Sequence, residues 1–141
     1  MPIFGELEMI TDGDKEATEG SCVDLGINQQ HITIDLGGSY NIYAVLFWHY
    51  HLNARVYFDV IVRVADDVDF TTNVRTIFNN DGDNSAGFGV GGDMHYVESA
   101  KGKLVDAKGI KGRYVRLYSN GSKQSEINHY IEVEVFGKSA E

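Results

Sequence analysis

The densest chemistry in the chain lies near its start, in Thr11-Asp12-Gly13-Asp14-Lys15-Glu16-Ala17-Thr18-Glu19-Gly20. Those ten residues hold four carboxylates and two threonine hydroxyls around a glycine-bearing turn. Hard oxygen donors at that density suit calcium, which takes six to eight oxygens at about 2.3–2.6 Å. The spacing is not that of an EF-hand, because no bidentate glutamate follows at the twelfth position. An acidic turn held by water alone has the same composition, and the residues by themselves leave both readings open.

Other constellations are weaker. His49-x-His51 puts two imidazoles on one strand face, and with His129 they supply three ligands of the type that holds catalytic zinc. Same-face histidines also serve as core groups with ordinary hydrogen-bond partners. The loop from Asn79 to Asp93 is rich in Gly, Asn and Asp, but no Gly-Lys-Ser/Thr closes it and no helical pattern follows, so it is not a phosphate loop. Long loops of this kind in compact domains are functional or mobile. No Gly-x-Ser-x-Gly elbow is present, and the lone Cys22 has no identifiable base beside it. Glu132 and Glu134 are two acids among 21 and carry no catalytic information. The expectation is that the chain is not an enzyme.

The elements that must position these groups are strands. In Arg113-Tyr114-Val115-Arg116-Leu117-Tyr118, Val115 and Leu117 point one way and Tyr114, Arg116 and Tyr118 the other. In Ile131-Glu132-Val133-Glu134-Val135-Phe136 the apolar residues again alternate with the rest. A period of two marks half-buried strands. The polar run Ser119 to Asn128 between them reads as a loop. Further strands are expected at residues 3–10, 30–36, 40–51, 56–65 and 73–78, with brief ones at 94–98 and 102–105. Gly37-Gly38-Ser39 and Ala65-Asp66-Asp67-Val68-Asp69-Phe70 read as turns, and the nearly continuous apolar run Ile42 to Trp48 reads as a central strand. The prediction is an all-β chain of about eight antiparallel strands in a sandwich.

Size and charge bound the rest. The 141 residues form one domain, 1–141, able to bury roughly 70% of its unfolded surface. With 16 Gly and 1 Pro, short strands joined by Gly/Asn/Asp turns are favoured. A net charge of −9 disfavours nucleic acid and anionic membrane, despite Lys101, Lys103, Lys108 and Lys111 lying close in sequence. A single Cys excludes an internal disulfide, and Cys22 is expected as a small buried side chain. No run of 18 apolar residues is present, and the first residues show no signal-peptide pattern. Asn120-Gly121-Ser122 fits a glycosylation sequon, relevant only in a eukaryotic secretory route.

The order of these segments resembles a known family. An Asp-Gly-Asp turn, "ITIDLGGSYNIYAV", "YAVLFWHYH", "VIVRVADD", "GRYVRLYSNG" and "IEVEVFG" follow one another as in discoidin-like domains. These are the C-type domains of coagulation factors V and VIII and the family 32 carbohydrate-binding modules. The resemblance spans residues 8–137 and is nearest to modules of large secreted bacterial proteins. It implies a jelly-roll β-sandwich, galactose-binding-domain-like.

The resemblance also implies a site and a function. A structural calcium would pin the N-terminal turn to the last strand through Asp12, Asp14, Thr18 and Glu132, although the Asp12–Thr18 spacing is one residue longer than the family's. A glycan would sit on end loops, with His51, Asn53, Arg55, Asn79, Asn80, Asn128 and His129 as candidate contacts. The chemistry is general: a sugar needs planar donors for its hydroxyls and an apolar face for its C–H patch. The implied role is a non-catalytic module that binds a glycan or glycoprotein, joined to other domains of a larger protein. The implied home is secreted, periplasmic or at the cell envelope, with any signal peptide outside this chain. The alternative is a protein-interaction or adhesion module. Membrane binding, as in the coagulation factors, needs apolar spikes beside basic residues and is not expected here.

Overall fold

The computed structural model describes residues 10–13, 15, 22–53 and 55–140. Six strands account for the regular structure: β1 (Val23–Gly26), β2 (Gln30–His49), β3 (Ile61–Ala65), β4 (Arg75–Asn79), β5 (Lys103–Ser119) and β6 (Asn128–Ser139). They hydrogen-bond in the order β1-β6-β2-β5-β3-β4, and every pairing is antiparallel. No α-helix occurs among the described residues.

Two long strands turn this sheet into a sandwich. β2 pairs with β5 over Gln30–Asp35 and again over Tyr40–Phe47, while β6 joins it only from Tyr40 onward. The register jumps between Asp35 and Tyr40, where Gly37 takes φ +82° and donates its N–H to Asp35 Oδ1 at 2.8 Å. A left-handed residue is natural for glycine and bends the strand. β5 bends likewise at Lys108 and Gly109, with φ of 56° and 78°. The two halves of each strand therefore lie in different layers. Val23, Ile32, Val45, Val62, Phe78, Val105, Val115 and Val133, drawn from all six strands, meet in one buried core. Each such side chain contributes about 1.5–3 kcal/mol by leaving water.

Several expectations are corrected in detail. Among the described residues there are six strands rather than about eight, because 30–36 and 40–49 are one strand through the glycine bend, and 102–105 merges into β5. The expected strand over 56–65 begins only at Ile61, since Asp59 takes φ 52° and Tyr57 makes a lone bridge to Ser122. Residues 94–98 are irregular. Most of the expected strand at 3–10 lies outside the described residues. The alternation in β6 is broken by a register shift: Trp48 pairs with Glu132 but His49 with Tyr130. Ile131 thus joins Cys22 and Trp48 in a second cluster, and Tyr130 enters the main core. Cys22 is buried as expected.

Candidate functional site

The long loop after β4 is a built structure. Asn79 N–H donates to Asp93 Oδ2 at 2.7 Å and Asp93 N–H returns to the Asn79 carbonyl at 2.9 Å, closing the neck. Inside it, Asp81 accepts from Ser85 N–H at 3.0 Å and Ala86 N–H at 2.8 Å, and Asn84 Oδ1 accepts from Gly89 N–H at 2.8 Å. Asn and Asp favour such loops because their short side chains satisfy nearby backbone donors. A Cβ on Gly91 would stand 2.2 Å from the Asn79 carbonyl oxygen, so the neck requires glycine there.

This loop, the 58–60 segment and the start of the β5–β6 loop enclose an open cleft of about 490 Å³, lined by Phe58, Asp59, Asn80, Gly82, Asp83, Ser85, His95 and Asn120. Phe58 is held to the 120–121 segment by two backbone bonds of 2.9 Å, Asn120 N–H to Phe58 O and Phe58 N–H to Gly121 O. The Phe58 ring stands edge-on to His95 at 6.1 Å. Asn80 is 1% exposed; its Oδ1 accepts from Val60 N–H at 2.8 Å while its Nδ2 has no partner.

The cleft is acidic. Carboxylate oxygens of Asp59, Asp81 and Asp83 lie within 4.8 Å of one another, close enough to hold a metal ion and compatible with calcium. Ser85 Oγ donates to Asp59 Oδ2 at 2.7 Å. Burial raises the Asp59 carboxyl above its ordinary value, and the charge of Asp81 adds to the rise. Burial also pushes Asp81 upward, but the N–H groups of Ala86 and Ser85 outweigh it and hold Asp81 below its ordinary value. Of this pair, Asp59 takes the proton first.

Among the residues expected to touch a glycan, Asn80 lines the cleft and Asn79 forms its loop's neck. The others lie elsewhere. Asn128 is fully buried, its Oδ1 accepting from Ser119 Oγ at 2.7 Å and Gly121 N–H at 2.8 Å, its Nδ2 donating to the carbonyls of Gly26 at 2.9 Å and Asn28 at 2.7 Å. His129 Nδ1 meets the Tyr57 hydroxyl at 2.7 Å, and its Nε2 faces Asp24 Oδ1 at 3.7 Å. Arg55 is 8% exposed and stacks over Tyr50 at 4.9 Å. His51 Nε2 donates to the Lys15 carbonyl at 3.0 Å, and Asn53 is exposed. His49 is a core histidine, stacked on Tyr57 at 4.5 Å. His49, His51 and His129 form no common ligand set among the described residues. Sequence reasoning missed Phe58, Asp59 and His95. The one signal was Asp59, an acid inside the apolar run Val56–Ala65.

At the N-terminal turn, Gly13 N–H donates to Glu132 Oε2 at 2.9 Å across 119 positions of sequence. Glu132 is 3% exposed, its Oε1 has no partner, and burial, with Asp12 and Glu134 adding, pushes its carboxyl up to about 7. A buried carboxylate with an orphan oxygen close to a second acid fits a hard cation. Asp14 and Thr18 lie outside the described residues.

No family model matches the chain, and no curated protein matches it. Solved structures do. A family 89 glycoside hydrolase from Clostridium perfringens, in complex with 2-acetamido-1,2-dideoxynojirmycin, superposes at TM-score 0.71 and 17% identity over 99% of this chain. The chain spans 14% of that enzyme's length. The CBM32 of AlyQ, in complex with 4,5-unsaturated mannuronic acid, superposes at TM-score 0.67 and 16% identity, over 96% of this chain and 92% of that one. A pectin binding carbohydrate binding module gives TM-score 0.64 and 13% identity, over 99% and 90%. At these identities the likeness is one of fold: the chain has the discoidin-like β-sandwich of family 32 carbohydrate-binding modules.

Proposed function

We propose that the chain is a non-catalytic carbohydrate-binding module that takes a glycan in the cleft between the 79–93 loop and the 58–60 segment. The observation that carries this is the cleft's lining. The Phe58 ring offers an apolar face beside hydrogen-bonding groups on Asp59, Asn80, His95 and Asn120. Sugar recognition needs that combination. The carboxylates of Asp59 and Asp83 repel a uronate, so the fitting ligand is a neutral sugar. Support from fold is coarser: the similar AlyQ module is in complex with 4,5-unsaturated mannuronic acid, and another similar structure is a pectin binding carbohydrate binding module. The module serves a larger secreted or envelope protein, as the glycoside hydrolase neighbour suggests.

A structural calcium belongs to the same proposal. Glu132 and Asp12, with Asp14 and Thr18 carried over from the family resemblance, would hold it and fasten the N-terminal turn to β6. The ion's role there is charge neutralisation and tethering.

A glycan array run beside Phe58→Ala and Asn120→Ala variants tests the proposal. Binding of a neutral sugar by the native chain, weakened tenfold or more in both folded variants, supports it; tenfold corresponds to about 1.4 kcal/mol. Binding that survives both changes moves the glycan site elsewhere. A folded chain that binds no glycan favours the second reading, an adhesion module. That reading draws on Val90, Met94 and Val97, which are 73%, 84% and 58% exposed on the 79–102 segment.

A further inference from the structure

A second hollow adjoins the cleft. It measures about 260 Å³ and is lined by Asn28, Phe58, Asn120, Gly121, Ser122 and Glu126. Phe58 and Asn120 also line the larger cleft of about 490 Å³, so the two spaces meet at these two residues. Sites that hold a small molecule measure about 300–1,000 Å³. The larger cleft falls inside that range and the hollow below it. The hollow therefore extends the cleft and is too small to act as a separate site.

Its walls come from three places in the chain, the β1–β2 turn, the 57–58 segment and the β5–β6 loop, and all three are fastened. The buried Asn128 ties two of them together. Its Nδ2 donates to the Gly26 and Asn28 carbonyls at 2.9 and 2.7 Å, and its Oδ1 accepts from Gly121 N–H at 2.8 Å. Phe58 N–H reaches the Gly121 carbonyl at 2.9 Å, and Tyr57 bridges to Ser122. Ser122 N–H closes a tight turn on the Ser125 carbonyl at 2.7 Å. Gly121 takes φ +68°, and a Cβ there would stand 3.0 Å from Glu126 Cα, so the loop folds back this closely only with glycine. Walls fixed in advance need little ordering when a ligand arrives.

The hollow repeats the chemistry of the cleft. Asn28 and Glu126 are exposed within it. A carboxylate accepts from hydroxyl groups, and a carboxamide both donates and accepts. The Glu126 carboxylate repels a uronate, as Asp59 and Asp83 do on the other side. Both compartments thus suit an uncharged polyhydroxylated ring, and the aromatic Phe58 stands where the two meet, beside the C–H surface of whatever spans them.

We propose that the ligand is a neutral oligosaccharide of at least two sugar units. One unit occupies the cleft under the 79–93 loop, the next occupies the hollow between Asn28 and Glu126, and the linkage crosses Phe58 and Asn120. This rests on the reading of the larger cleft as a glycan site and adds a second subsite to it. A monosaccharide fills one compartment only, so affinity depends on chain length.

The test compares glucose with cellobiose, galactose with lactose, mannose with mannobiose, and N-acetylglucosamine with chitobiose, by calorimetry and by NMR of the backbone amides. At least one disaccharide should bind tenfold or more tightly than its monosaccharide. It should shift the amides of Asn28, Ser122 and Glu126 as well as those of Gly82 and Ser85. Glu126→Ala and Asn28→Gly should each cut the disaccharide-to-monosaccharide affinity ratio at least threefold. Glycine keeps the left-handed backbone of residue 28, where φ is 66°, and residue 126 is exposed, so both variants should fold. Disaccharides that bind no more tightly than monosaccharides and shift only Gly82 and Ser85 overturn the second subsite and leave the glycan reading standing. A native ratio in both folded variants does the same. A folded chain that binds none of the eight sugars overturns the subsite and the glycan reading together.

Discussion

His49 Nδ1 and Glu98 Oε1 lie 2.5 Å apart with side chains 0% and 1% exposed, joining the end of β2 to an irregular segment 49 positions away. Glu98 N–H also donates to the Arg55 carbonyl at 2.9 Å. The segment that sequence patterning reads as a strand is therefore fastened by one acid rather than by a ladder. Removing one member of a buried pair leaves the other uncompensated, at about 3–5 kcal/mol. Glu98→Ala should lower unfolding free energy by that amount in a urea titration. A loss under about 1 kcal/mol would show that the pair is not the fastening.

Asn128 and Asn120 should separate structure from binding. Asn128 makes four hydrogen bonds at full burial, so Asn128→Ala leaves the β1–β2 turn carbonyls and the Gly121 N–H without partners. The expected cost is about 3 kcal/mol. Asn120→Ala, at the cleft, should cost under about 1 kcal/mol of stability and act on ligand affinity instead. Paired thermal melts and binding curves would reverse these roles if Asn128 is a contact residue.

Calcium should raise stability by mass action, about 2.7 kcal/mol at one hundred times its dissociation constant. Glu132→Gln should abolish that gain, because the residue is 3% exposed and has an orphan oxygen. Asp59→Asn tests the acidic cluster separately. A melting temperature that chelator leaves unchanged in the native chain removes calcium from the account.

Acidification should weaken the fold through His129. Burial holds its imidazole below 6.5, the charges of Arg55 and His49 add to the fall, and Asp24 opposes them. The folded state then binds fewer protons than the unfolded chain. Stability is full above about 6.5 and is lost as pH falls from there through the folded value. Protonation would also turn Nδ1 from acceptor to donor against the Tyr57 hydroxyl. Urea titrations at pH 7.5 and 5.5 should differ for the native chain and differ less for His129→Gln. Equal differences in the two would place the dependence on another group.

Local pattern determined much of this protein. The alternation of Val115 and Leu117 against Tyr114 and Arg116 is a property of neighbouring residues, and it survives folding because each strand buries one face. The Gly/Asn/Asp content of residues 79–93 made a loop there necessary, and the conjunction of an Asp-Gly turn with a distant Glu132 was legible through a family resemblance. What tertiary structure decided depends on partners remote in sequence. Whether Gly37-Gly38-Ser39 ends a strand or bends it was settled by β5 pairing on both sides of it. Whether an asparagine faces solvent or fills the core depends on what surrounds it: Asn128 found four backbone and hydroxyl partners, and Asn80 kept a free amide at a cleft. Arg63 and Arg116 stand 53 positions apart and become neighbours only when β3 and β5 pair. Propensity acts over a few residues, whereas charge and hydrogen bonding act over distances that only the folded chain defines.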